Sequence, residues 1–220
     1  MDVEFTVNFR NDSTFFFNLV QCRPLQTRGL GKNIEIPKLD SKEECLFYSE
    51  GNFMGGNLRI PVDKIIFVDI HEYLEMPEQE KYQVARYIGN LNQILKNQNV
   101  LLMGPGRWGT TTPSLGVPVH FTEISHMAAI CEISYQDEGL MPELSYGSHF
   151  FQDLVESGVF YIALFKEQKN VVFHEEMLKK ENLLANYISE AEDYKKCIQV
   201  LDTKGMELYS DISCQRVFCR

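Results

Sequence analysis

Apolar and polar residues alternate from the first strand-length segment: Val3, Phe5, Val7 and Phe9 fall on one side of an extended chain, and Glu4, Thr6 and Asn8 on the other. A polar stretch at 10–13 follows, then a Phe-rich run at 14–20, so the opening predicts a β-hairpin. A lone hairpin is barely stable in water, and its apolar face needs cover. Residues 26–42 are polar and punctuated by Gly29, Gly31 and Pro37, which predicts a linker. A short strand at 45–48, a glycine-rich turn at 49–57 and a buried strand at 64–70 come next.

The segment 77–97 predicts a helix. Pro77 suits a first helical position, Glu78 and Glu80 complement the helix dipole, and Val84, Ile88, Leu91 and Leu95 make an apolar stripe. With a strand at 100–103 it forms a β-α-β unit, which favours parallel pairing. Further strands are expected at 126–134 and 159–165, with helices at 148–155 and 177–188. Runs at 197–201 and 206–209, separated by Asp202-Thr203-Lys204-Gly205, predict a closing hairpin. The expected fold is therefore α/β: a mixed, mostly parallel sheet with flanking helices, preceded by a β-hairpin. No internal repeat or low-complexity tract interrupts it.

Composition narrows the functional classes. The chain has 220 residues, of which 44% are hydrophobic, so it can build a sizeable core. Its formal net charge of −10, with no basic cluster longer than a pair, argues against a general nucleic-acid binder. No apolar run is long enough to cross a membrane, and the acidic opening Met1-Asp-Val-Glu is unlike a secretory signal, so a cytoplasmic protein is expected. The six cysteines include no Cys-x-x-Cys pair, and reduced thiols are expected.

Two stretches could carry chemistry. In Gly104-Pro105-Gly106-Arg107-Trp108-Gly109, the glycines would leave backbone amides facing an anion, Arg107 would clamp it and Trp108 would offer a stacking face. The alternative is a structural loop with the tryptophan plugging the core. The spacing fits neither a Walker loop nor a dinucleotide fingerprint, and Pro113 and Pro118 oppose a following helix. In the second stretch, a helix beginning near Ser148 would present its first amides to an anion. His149, Gln152, Asp153 and Glu156 would then share a polar face, with His149 as acid, base or ligand. His149 and Arg107 are the catalytic candidates, and Arg107 and the 147–149 turn are expected to open into one cleft. Glu132 lies in an apolar strand where a charge needs a partner, and Arg107 is the obvious one. No histidine spacing typical of a metal site occurs.

Asp2-Val3-Glu4-Phe5 followed by Leu19-Val20-Gln21-Cys22-Arg23-Pro24-Leu25 resembles the end of the ATP-grasp nucleotide-binding domain of phosphoenolpyruvate synthases and pyruvate phosphate dikinases. The resemblance implies that Glu4 helps hold a metal on the ATP phosphates, with Gln21 and Arg23 beside them. It also implies ATP and Mg²⁺ as cofactors of a longer parent protein with an upstream ATP-grasp domain. Mg²⁺ favours carboxylate and phosphate oxygens, and a guanidinium pairs well with phosphate. The match covers about 25 residues, and the rest of the ATP-grasp site is not in this sequence, so phosphotransfer is not assigned to this chain alone.

Between residues 48 and 165, the order Gly-Pro-Gly-Arg-Trp-Gly, Leu-Gly-Val-Pro-Val, Ile-Ser and Gly-Ser-His-Phe-Phe-Gln resembles the C-terminal region of bacterial proteins with such a domain upstream. The organisation this implies is an ATP-grasp hairpin at 1–25, a linker at 26–43 and an α/β domain at 44–220. The leading function is the C-terminal region of an ATP-dependent phosphotransferase that binds a phosphate- or carboxylate-bearing small molecule. The competing one is a non-catalytic interaction, dimerisation or regulatory module, with a homodimer among its expected partners.

Overall fold

The computed structural model describes residues 2–11, 13–23, 28–29, 31, 34–135, 145 and 149–220. Strands β1 (Asp2–Phe9) and β2 (Phe15–Arg23) open the chain as a two-stranded sheet of their own. Then come β3 (Phe47–Glu50), β4 (Phe53–Met54), β5 (Leu58–Pro61), β6 (Lys64–Val68), α1 (Ile70–Glu75) and α2 (Glu78–Ile94). The middle of the chain holds β7 (Val100–Pro105), β8 (Ala129–Ser134), α3 (His149–Glu156) and β9 (Phe160–Phe165). The last part contains β10 (Val171–Phe173), α4 (Leu184–Tyr187), β11 (Ile198–Asp202), β12 (Glu207–Asp211) and β13 (Arg216–Cys219).

The central sheet has six strands in the order β11-β6-β7-β8-β9-β4. Its inner pairs β6–β7, β7–β8 and β8–β9 are parallel, and the edge strands β11 and β4 are antiparallel. A parallel core needs both faces covered, and the alternation along each strand shows how this is met. Ile66, Val68, Leu102, Ile130 and Tyr161 face a layer that includes α2 and α3, whereas Ile65, Phe67, Met103, Cys131 and Ile162 face a second sheet. That second sheet is antiparallel, five-stranded and ordered β10-β3-β13-β12-β5. The result is three layers: helices, mixed sheet, antiparallel sheet.

The apolar stripe of α2 is buried as its spacing predicts, with Val84, Ile88, Leu91 and Leu95 almost inaccessible. Burial of each such side chain contributes about 1.5–3 kcal/mol. Pro77 sits just before the first helical residue. One unforeseen element is the short α1, which Asp69 starts by accepting a hydrogen bond from the Glu72 amide (3.1 Å). The 26–43 segment, where described, is a packed strap. Ile34 joins the core between the sheets, and Ile36 and Leu39 cover the outer side of the antiparallel sheet.

Two expectations are corrected. The runs at 197–201 and 206–209 are not a hairpin: β11 pairs with β6 in the central sheet, whereas β12 pairs with β13 and β5 in the other. The turn between them crosses from layer to layer and is held by the Thr203 hydroxyl donating to the Val62 carbonyl. The segment 177–188 is not one helix. Asn182 captures the backbone instead: its amide donates to the carbonyls of Lys195 (2.8 Å) and Ile198 (2.9 Å), and its carbonyl accepts from Leu184 (3.0 Å) and Val200 (2.9 Å). A side chain that satisfies four backbone groups, two of them in strand β11, outweighs the modest helical propensity around it. Asn182→Ala is expected to cost about 1–3 kcal/mol in urea unfolding and to speed amide exchange in β11 selectively.

Candidate functional site

Strands β7 and β8 end side by side, the first predicted stretch leaves the C-terminal end of β7, and the described part of the second begins α3. The amides of the first loop are fully committed. Gly106 donates to Ile133 O (2.9 Å), Arg107 to Leu115 O (2.9 Å), Trp108 to Glu132 Oε1 (3.0 Å) and Gly109 to Val117 O (3.0 Å). This corrects the expectation that Gly104, Gly106 and Gly109 leave amides open to an anion. The loop is a hydrogen-bonded structure in its own right, with the Arg107 side chain half-buried.

Trp108 is also corrected. It is 0% exposed and presents no stacking face. Its indole lies against Gly104, where a Cβ would come within 2.7 Å of the ring, and it fills the layer between sheet and helices. Gly104 is therefore needed for the close approach of the indole. Gly116, the glycine of the Leu-Gly-Val-Pro-Val stretch, packs against the same loop. It sits at φ +150° in a bridge with Gly106, and a Cβ there would lie 2.0 Å from the Arg107 carbonyl oxygen.

Glu132 is the centre of this region. It is 2% exposed and lies on the helix-facing side of β8. Its hydrogen bonds come from the Trp108 amide (3.0 Å), the Ser145 amide (3.2 Å), the Ser145 hydroxyl and the Tyr161 hydroxyl. The expected partner, the Arg107 guanidinium, is not among these donors. Burial is the largest influence on this carboxyl and raises its pKa, opposed by the hydrogen bonds from Ser145, Tyr161 and Trp108. Ser145 and Tyr161 carry no motif, and only the charge inside an apolar strand hinted at such a cluster.

Helix α3 begins at His149, and its Phe150 ring packs on Gly109, where a Cβ would meet it at 2.4 Å. The start of the helix and the first loop are thus brought together. Gln152 is half-buried on α3, while Ser148 and the side chain of His149 lie outside the described residues. Neither the cavity beside Lys96 and His126 nor the one beside Asp63 and Asp202 is lined by Arg107 or Gln152.

The hairpin places its three candidates together. Glu4 pairs directly with Gln21, and Arg23 lies two residues further along the same strand. A bulge makes this so: Gln21 pairs with Glu4 but Leu19 with Phe5, leaving Val20 as the extra residue. Arg23 pairs with Glu156 at the end of α3 (2.7 Å) and lines a groove of about 1110 Å³ with Arg28, Lys96 and His126. Arg28 spans this groove by donating to Ala128 O (3.0 Å). The groove lies at the N-terminal ends of β7, β8 and β9, opposite the Arg107 loop. Among the described residues no cluster of three His, Cys, Asp or Glu could hold a metal ion.

Two variants test this geometry. Glu132→Gln is expected to lose about 1–3 kcal/mol, because an amide NH₂ must face a donating backbone N–H on one side. A raised folded-state pKa favours the protonated carboxyl. The stabilisation it contributes is therefore full below the unfolded value near 4.5 and is lost as pH rises through the folded value. Urea unfolding from acid to neutral pH should show the wild-type advantage over Glu132→Gln shrinking as pH rises; growth with pH would reverse the assignment. Gly116→Ala collides with the Arg107 backbone, and a loss of about 1–3 kcal/mol or more is expected by the same measurement.

No protein-family model matches this chain, and neither does any curated protein or any solved structure.

Proposed function

We propose that this chain is the C-terminal region of a phosphoenolpyruvate-synthase-like, ATP-dependent phosphotransferase, and that its α/β domain binds a small phosphate- or carboxylate-bearing molecule. The observation that carries the reading is the common hairpin face of Glu4, Gln21 and Arg23. A carboxylate, a carboxamide and a guanidinium aligned in this order suit Mg²⁺-bound phosphates, with Glu4 offering oxygen to the metal and Arg23 pairing with phosphate oxygen. ATP, completed by an upstream ATP-grasp domain, would supply the phosphoryl group. Arg23 here holds the Glu156 carboxylate at 2.7 Å, a contact of the same charge-assisted kind.

In the α/β domain the supporting feature is the fixed backbone around Arg107. Its own amide and those on either side are tied down, so its side chain projects from a rigid base at the C-terminal end of β7. The first turn of α3 is packed against the same loop. Ligands of α/β sheets commonly bind beyond the carboxyl ends of parallel strands. A second reading, a non-catalytic interaction module, is favoured by the exposed apolar residues of the hairpin.

Thermal unfolding with inorganic phosphate, phosphoenolpyruvate or pyruvate tests the small-molecule claim. A ligand at one hundred times its Kd stabilises by about 2.7 kcal/mol, a rise of several degrees in Tm. At least one of the three should raise the wild-type Tm, and Arg107→Ala should abolish the shift. If none raises it, or if Arg107→Ala responds equally, the claim is lost.

A further inference from the structure

The hairpin register divides its side chains sharply. Thr6 with Asn18, and Glu4 with Gln21, make one polar face, where Arg10 also stacks over Phe16 at 3.9 Å. The opposite face pairs Val3 with Cys22, Phe5 with Leu19, Val7 with Phe17 and Phe9 with Phe15. No charged or amide side chain interrupts it. Phe5 and Phe17 stack at 4.5 Å within this face, yet neither is covered. Exposure runs from 37% at Val7 through 53% at Phe5, 57% at Phe17 and 62% at Phe15 to 81% at Phe9.

We infer that this face is an interface between two copies of the chain, packed hairpin against hairpin about a twofold axis. With aromatic side chains of roughly 150–250 Å² each, the face presents on the order of 700 Å² per copy. Two such faces bury about 1,400 Å², within the range of stable interfaces. A contiguous apolar surface of this size exceeds what a lone soluble protein usually shows. Besides this face, the exposed large hydrophobics among the described residues are Phe16 opposite Asn8, the bulged Val20, and the scattered Tyr82, Ile94 and Ile212, so among the described residues this face is the contiguous apolar patch that can match itself.

An uncharged, flat face is self-complementary, as a twofold contact requires. Stacking two hairpins about 10 Å apart makes a small sandwich with the apolar residues inside and the polar face in water. It also gives the hairpin the second layer that an isolated two-stranded sheet lacks. Charge does not oppose the contact: residues 1–23 carry two arginines against three acids, so most of the net charge of −10 lies in the α/β domain. The inference does not depend on the phosphotransferase reading.

Light scattering coupled to size exclusion, over about 1 to 100 µM, tests it on this chain. The expected mass is twice 25.5 kDa. Phe5→Lys with Phe17→Lys should return the mass to that of one copy and leave the Tm and near-ultraviolet circular dichroism of the α/β domain unchanged, since neither residue belongs to its cores. Val7→Cys, in a Cys22→Ser and Cys214→Ser background, should form an intermolecular disulfide on mild oxidation. A wild type that stays monomeric throughout, as it would if another segment or partner is what covers the face, overturns the inference. So does a double-lysine variant that remains dimeric.

Discussion

A carboxyl group buried on the helix-facing side of β8 governs the shape of everything at that end of the molecule. Removing Glu132 from water costs several kcal/mol unless its oxygens are fully hydrogen-bonded. The donors come from three separate stretches: the Trp108 amide after β7, the amide and hydroxyl of Ser145 in the connection to α3, and the Tyr161 hydroxyl in β9. Satisfying one side chain therefore fixes two loops and a strand relative to one another. With the Trp108 amide held there, its indole lies over Gly104 and seals the core, and the chain returns through Gly116 close against the Arg107 backbone. The Gly-Pro-Gly-Arg-Trp-Gly sequence is the backbone's answer to that carboxyl, and the position of Arg107 is a consequence.

Strands β6, β7, β8 and β9 were legible because a strand buried on both faces has to be apolar along its length, and the stripe of α2 was legible because one helical face meets the sheet. The antiparallel sheet was not. Its strands are only three to five residues long, and partners such as Phe47 and Cys219 lie far apart in the chain. A segment that short carries a period but no address. The turn at 202–205 has hairpin chemistry, yet the strands around it face different partners, which only the layering decides. In 177–188 the apolar spacing is real, since Leu178, Leu184 and Ile188 are buried. What the spacing leaves out is the reach of Asn182 to strand β11.

The candidate site divides in the same way. Which loop mattered could be read from its glycines and its lone tryptophan. Where its amides go could not, because their acceptors at Leu115, Val117, Glu132 and Ile133 lie 8 to 27 residues further along the chain. Long-range hydrogen bonds of this kind decide whether a glycine-rich loop is open to a ligand or closed upon itself, and here the backbone is closed. That moves the chemical weight from amides to side chains, and from the loop alone to its junction with α3.

The hairpin shows how one inserted residue can let two strands serve two purposes. Side chains alternate across a strand, so a regular register continuing from the Phe5–Leu19 pair would put Gln21 and Arg23 on the apolar side. Val20 as the bulged residue reverses the phase at that point. Beyond it, Gln21 and Arg23 join Glu4 on the polar face, while Val3 and Cys22 extend the apolar one. The face that would meet phosphate and the face that would meet a second copy therefore stay separate along the whole hairpin. A charged residue on the apolar side would have to be desolvated in any interface formed there, and the bulge is what keeps Arg23 out of that position and within reach of Glu156.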